Sequence, residues 1–308
     1  MASYVEYNGV IINKVTLDKY KELKEAGQLV SSEVYVIEDY LGEYTYVCNG
    51  STDNIQIGNI VRAFLNGGTD YRSLKLKVIG TFGMTSAATG AGTSGTPYYW
   101  FNLNIQSNRR ATIDFTNCTQ ISPTIADGTS NVIFHSNNGM HIIGANVVAN
   151  NTSANTTIRI TNNGYGAILF EDCRFWVNGY VNCFIGTNGT YINCRGSISN
   201  VTSNSYCFYP VTTGLVRIIG GEYYAYTASS SNKSAIIGQS GTDAVSILFG
   251  VNAPTAERTG YYQTHSIIQT SGGGMVNCTD LVSALPLSVV SGISNIRGTI
   301  AKSKPNLM

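Results

Sequence analysis

The sequence predicts an all-β solenoid preceded by a small α+β module, and three observations carry that expectation. Short strand-like runs end in a small residue again and again. The small residues fall at Cys118, Gly144, Cys173, Cys194, Gly220, Gly250, Cys278 and Gly298. Their steps of roughly 20–30 residues are those of a fold built one rung per repeat, where neighbouring rungs must stack to bury an apolar face. Charge is concentrated ahead of position 44, where a helix and a hairpin can be read. The remainder is polar yet nearly uncharged: 12% of residues are charged, 43% are hydrophobic and 33 are glycine. A typical domain has about 25% charged residues.

Taken in order, the helix comes first. Thr16 suits an N-cap and Asp18 the first turn; Leu17, Tyr20 and Leu23 recur on one face, and Gly27 is placed to end it. Two alternating runs follow, Glu33 to Ile37 and Glu43 to Val47, joined by Asp39-Tyr40-Leu41-Gly42. They read as a hairpin. Residues 51–70 read as a polar, glycine-rich joint around Asn66-Gly67-Gly68. Leu74 to Ile79 alternates like a half-exposed strand, and 84–97 is a loop leading to Tyr98-Tyr99-Trp100-Phe101. Rungs run from Asn108 to Lys302. The expected organisation is an N-terminal anchor over 1–62, a body over 63–302 and a polar tail over 303–308.

Bulk composition excludes several functions. A formal net charge of +1 provides no counterion-release drive toward nucleic acid. The opening Met1-Ala2-Ser3-Tyr4-Val5-Glu6-Tyr7 has neither a basic n-region nor an apolar h-region. No run approaches the eighteen or so apolar residues of a membrane helix. The seven cysteines follow the rung period rather than a metal-site spacing, and read as small core residues. Neither a metal nor a cofactor is expected.

The pattern Leu169-Phe170-Glu171-Asp172-Cys173-Arg174-Phe175, with Tyr191-Ile192-Asn193-Cys194, resembles rungs of the right-handed parallel β-helix family. That family includes pectin-lyase-like enzymes and bacteriophage tailspikes. The run Thr16 to Gly27, followed by Val34 to Asp39, Tyr44 to Val47 and Cys48-Asn49-Gly50, is similar to a short module of bacteriophage fibre and virion-appendage proteins. The resemblance implies a single-stranded right-handed parallel β-helix behind a small helix-plus-hairpin anchor. It further implies a structural virion protein, a head or tail fibre or a capsid decoration concerned with host attachment. Such a protein would be homotrimeric, made in the host bacterial cytoplasm and displayed on the virion surface. Leu17, Tyr20, Leu23, Tyr35, Tyr44 and Tyr46 would anchor it to capsid or tail proteins, with host surface polysaccharide as a candidate ligand. The alternative on the same fold is a polysaccharide depolymerase, a glycan hydrolase or lyase.

A hydrolase needs two carboxylates about 5–9 Å apart. Glu171, Asp172 and Glu222 are the candidates, but Asp172 aligns with Asn117, Asn193 and Asn277 as one member of a turn-capping ladder. The expectation is therefore a non-enzymatic protein. The aromatic residues are the better lead. Tyr98, Tyr99, Trp100, Trp176, Tyr223, Tyr224, Tyr226, Tyr261 and Tyr262 cluster in short runs. On a strand, adjacent rings point to opposite faces, so part of this set packs inward and part is available for glycan or subunit contact.

Overall fold

The computed structural model describes residues 3–7, 9–38, 43–67, 73–161, 168–211, 213–229, 231–232, 234–239, 243–253, 266–270, 275–279, 281–283, 295–297 and 300–302. Helix α1 spans Leu17–Glu25. Thr16 is extended and its hydroxyl accepts from the Lys19 amide at 3.3 Å. Gly27, at φ +67°, ends it, and the Gln28 amide closes the last turn on the Leu23 carbonyl at 2.8 Å. The expected hairpin forms between strands Val34–Glu38 and Tyr44–Val47, with Val36 opposite Tyr46.

The supposed joint over 51–70 is instead a helix, α2, Asp53–Asn66. Ile57, Ile60, Val61, Phe64 and Leu65 are buried on it, the i, i+3, i+4, i+7, i+8 stripe of a core-facing helix. Polar residues between these positions concealed the period. Helix α2 packs against strands Ser3–Tyr7, Val10–Val15, Ser73–Gly80 and Tyr98–Asn102. Gly58 permits this approach, because a Cβ there would lie 2.8 Å from the Asn102 carbonyl oxygen.

The described strands fall into four sheets, of thirteen, seven, three and three strands. The thirteen-stranded sheet opens with an antiparallel pair, Ser3–Tyr7 with Val10–Val15, and contains the antiparallel hairpin. From Ser73–Gly80 onward its neighbours are parallel, through Arg110–Cys118, Met140–Ile143, Leu169–Glu171, Gly189–Ile192, Leu215–Ile219, Val245–Phe249, Met275–Thr279 and Asn295–Arg297. The seven-stranded sheet is parallel and begins with Asn146–Asn151, Arg174–Gly179, Arg195–Asn200 and Glu222–Thr227.

This corrects the expected fold class. The chain is not an all-β, single continuous right-handed parallel β-helix behind a detached α+β anchor. It is a mixed α+β structure of four sheets. The N-terminal strands belong to the same thirteen-stranded sheet as the later ones, and α2 lies across the boundary expected at residue 62. The hairpin and α2 bury their inward side chains within the chain's own core: Tyr44 packs at a tilt against Phe64 with centroids 4.6 Å apart, and Tyr46 is 1% exposed, whereas α1 buries no residue.

The corners between the two large sheets explain the recurrent small residues and correct their alignment. Gly144, Asp172, Asn193, Gly220 and Gly250 each follow a strand of the long sheet and adopt φ between +50° and +65°. The glycines therefore align with Asp172 and Asn193, not with the cysteines. Cys173 and Cys194 sit one residue later, in line with Ala145 and Gly221, as the bonds Arg174 N to Ala145 O, Arg195 N to Cys173 O and Glu222 N to Cys194 O show. Both cysteines are buried. The core inside is a run of rings: Phe101, Phe134, Phe170, Tyr191, Phe208 and Tyr223, with successive centroids 4.7–5.7 Å apart.

Candidate functional site

The outer face of the seven-stranded sheet carries an open groove of about 570 Å³. Most of its lining comes from two of the three columns that strand register sets on that face, with Tyr226 from the third. Asn146, Arg174, Arg195 and Glu222 form the first; Val148, Trp176, Ser197 and Tyr224 the second; Asn150, Asn178, Ser199 and Tyr226 the third. The strand Arg195–Asn200 places small residues between large ones. Ser197 and Ser199 lie sunk at 8% and 0% exposure, while Trp176 one strand away is 50% exposed. The result is a trough over Ser197 with Trp176 on one side and Tyr224 on the other.

The inward side of that strand is shaped in the same way. Phe175 and Tyr223 point inward on either side of Gly196. A Cβ on Gly196 would lie 2.4 Å from the Ile185 side chain and 2.9 Å from the Tyr223 ring. Gly196 therefore lets the core ring seat, and the strand lies flat beneath the trough.

The Tyr224 and Tyr226 rings are parallel, 6° between planes with centroids 6.2 Å apart. The Tyr224 phenol donates to Glu222 Oε1 at 2.5 Å, and Asn252 Nδ2 donates to Glu222 Oε2 at 3.5 Å. Burial, the Glu222 hydrogen bond and the Glu222 charge push the Tyr224 phenol up to about 12, against the opposing charge of Arg195. The phenol thus stays protonated at neutral pH and acts as a donor. Beside the groove, a ladder runs along the third column: Asn178 Nδ2 donates to Asn150 Oδ1 at 2.9 Å, and Ser199 Oγ donates to Asn178 Oδ1 at 2.7 Å.

Of the aromatic residues singled out in the sequence, the groove gathers Trp176, Tyr224 and Tyr226. Tyr223 is fully buried in the core, and Trp100 is 3% exposed with its indole N–H donating to Asn131 Oδ1 at 3.0 Å. Tyr98 lines a separate, smaller groove of about 340 Å³ with Thr89 and Thr124, while Tyr99 stacks on His135 at 4.0 Å. Tyr261 and Tyr262 lie outside the described residues. The carboxylates do not converge. Glu171 pairs with His141 at 2.7 Å at the surface of the thirteen-stranded sheet. Asp172 is a corner residue accepting from Asn193 Nδ2 at 2.6 Å. Among the described residues, Glu222 is the one carboxylate lining the groove.

The residues proposed for anchoring are divided too. Tyr44 and Tyr46 are core. Tyr20 and Tyr35 meet edge to face at 6.4 Å beside a cavity of about 90 Å³, and Leu17 is 49% exposed. Among the described residues no group of three or more His, Cys, Asp and Glu side chains could hold a metal ion, and no helix is long and apolar enough to cross a membrane.

Sequence reasoning missed Arg174, Arg195, Asn146 and the serine floor. The signal was within the repeat: Asp172-Cys173-Arg174 and Asn193-Cys194-Arg195 repeat an arginine that the register places side by side. The chain matches no known protein family, no curated protein and no solved structure. The virion-appendage reading, as head or tail fibre, capsid decoration or depolymerase for host attachment, rested on a β-helical body behind an anchor. The four-sheet α+β architecture removes that support, and the bacteriophage resemblance does not extend to the fold.

Proposed function

We propose that this chain is a carbohydrate-binding protein whose ligand lies in the groove over Ser197. The observation that carries this reading is the trough itself, with Trp176 half exposed on one side and Tyr224 on the other. Sugars offer an apolar C–H face to an aromatic ring and hydroxyls to polar neighbours. Rigid aromatic side chains supply such contact at low entropic cost.

The dimensions suit one sugar ring. Trp176 and Tyr224 stand two strands apart, roughly 9.6 Å at ~4.8 Å per strand. Two van der Waals contacts of ~3.5–4.0 Å place a ring between surfaces about 7–8 Å apart. Gln120, Asn146, Ser197 and the Glu222 carboxylate surround it with donors and acceptors. With a single carboxylate among the described residues of the groove, this arrangement supports binding rather than the two-carboxylate hydrolysis of a glycosidic bond.

Titration calorimetry against a panel of oligosaccharides tests the reading. Trp176→Ala is expected to weaken binding by at least about 2 kcal/mol, roughly thirtyfold. Tyr98→Ala, in the smaller groove, should leave it unchanged. Affinity insensitive to Trp176→Ala would remove the groove from consideration.

A further inference from the structure

The charged edge of the groove goes further than its aromatic walls. Arg174 and Arg195 are directly paired in register on adjacent strands, both exposed. Like charges in that position destabilise a sheet. The natural counter-charge is Glu222, in register with Arg195 on the other side. Yet Glu222 commits one oxygen to the Tyr224 phenol and the other to Asn252. Neither guanidinium forms an ion pair among the described residues. Two cations therefore face solvent at one end of the trough, against one carboxylate already engaged.

We infer that the groove selects acidic saccharides, with the carboxylate of a uronic-acid-type unit held between Arg174 and Arg195. This inference rests on the carbohydrate reading of the same groove. Planar guanidinium forks match a carboxylate in bidentate geometry, and such charge-assisted bonds are the strong ones. The arginine column precedes the Trp176–Ser197–Tyr224 column by two residues along each strand, about 6.6 Å at ~3.3 Å per residue. That offset is roughly one sugar ring with its exocyclic carboxylate. A ring seated over Ser197 thus brings its acidic group to the arginines without leaving the aromatic walls.

The test uses the full chain and polymers whose charge is changed without changing the backbone. Polygalacturonate, alginate and hyaluronate are each compared with their carboxyl-reduced forms by calorimetry, with dextran and dextran sulfate alongside. At least one uronate polymer is expected to bind tenfold or more tightly than its reduced form. Arg195→Gln and Arg174→Gln should each shrink that ratio several-fold while preserving the far-UV circular dichroism spectrum. Trp176→Ala should weaken both forms together. Equal affinity for parent and reduced polymers, with Trp176 still required, would overturn the acidic preference and leave the carbohydrate reading standing. Dextran sulfate binding as tightly as the best uronate would overturn the carboxylate assignment in favour of charge alone. Wild-type binding to none of these polymers, acidic or neutral, would overturn both.

Discussion

At the scale of single residues, the corners between the large sheets set the strictest demands. Five successive rungs turn through a left-handed residue, and three use glycine. An L side chain in that region costs about 1–2 kcal/mol, less for asparagine and aspartate, which is why Asp172 and Asn193 are the two non-glycine occupants. The environments of the glycines separate strain from clash. A Cβ on Gly250 meets nothing within 4 Å, whereas one on Gly144 would lie 2.5 Å from the Thr116 hydroxyl oxygen and 2.9 Å from its Cα. Gly250→Ala should therefore lower stability by about 1–2 kcal/mol, with Gly250→Asn closer to wild type. Gly144→Ala should cost clearly more than Gly250→Ala, and urea denaturation of the three variants measures the order. The recurrence of these residues was legible in the sequence; their equivalence was not. Glycine and cysteine are both small, but one satisfies a backbone angle and the other a buried volume, and spacing alone does not separate a one-residue offset.

At the scale of elements, α2 shows what surrounding polarity conceals. Its stripe of Ile57, Ile60, Val61, Phe64 and Leu65 is complete, yet Asp53, Asn54 and Gly58 on the same helix are buried as well, and in the sequence they read as a loop. The Asp53 carboxylate and the Asn54 amide nitrogen have specific partners, while Asn54 Oδ1 is buried without one. Asp53 accepts from the Tyr46 phenol at 2.8 Å and from the Asn49 and Gly83 amides at 3.0 and 2.9 Å. Asn54 donates to the Trp100 carbonyl at 2.6 Å. Removing the carboxylate leaves three donors without their acceptor, so Asp53→Ala is expected to destabilise by about 3 kcal/mol, read from the midpoint of urea unfolding. By contrast α1, with its cap, threefold spacing and terminal glycine, was fully legible because its signals are local. The groove was half legible for the same reason. Trp176, Tyr224 and Tyr226 stand out by type, but the serine floor and the arginine pair acquire meaning only through register across strands.

At the scale of the whole molecule, the core holds several groups that ionise in alkali. Burial raises Tyr191 and Tyr223, and burial followed by the Asp53 charge raises Tyr46. Burial also raises Cys173 and Cys207, and pushes Cys183 up to about 12. In the unfolded chain these groups titrate near 8.5 for thiols and 10 for phenols. Above those values the unfolded state has released protons that the folded state retains, so the unfolded state binds fewer protons and stability falls as pH rises. The contribution is complete below about pH 8 and is lost progressively from there upward. Urea midpoints measured from pH 7 to 11 should decline above pH 9, and the part of the tyrosinate absorbance that belongs to the buried Tyr46, Tyr191 and Tyr223 should appear only with loss of the circular dichroism signal. The solenoid expectation went astray at this scale. Repeats report how a strand relates to the next one, and they do not report how the first strands join the rest. Here the N-terminal strands and α2 enter the same sheet and core as the repeats.

That junction has a consequence for solubility. A stack of parallel strands in constant register presents at its first edge a template that another copy could continue, because every unpaired amide and carbonyl is offered at the spacing the next strand requires. In this chain strand Ser73–Gly80 is covered by Tyr44–Val47, and the sheet then passes through Val34–Glu38 and Val10–Val15 to end on Ser3–Tyr7. Two reversals of strand direction thus separate the repeating stack from its outermost edge, with α2 packed across the start of the stack. Among the described strands, the repeating stack therefore does not itself form the outermost edge at that face.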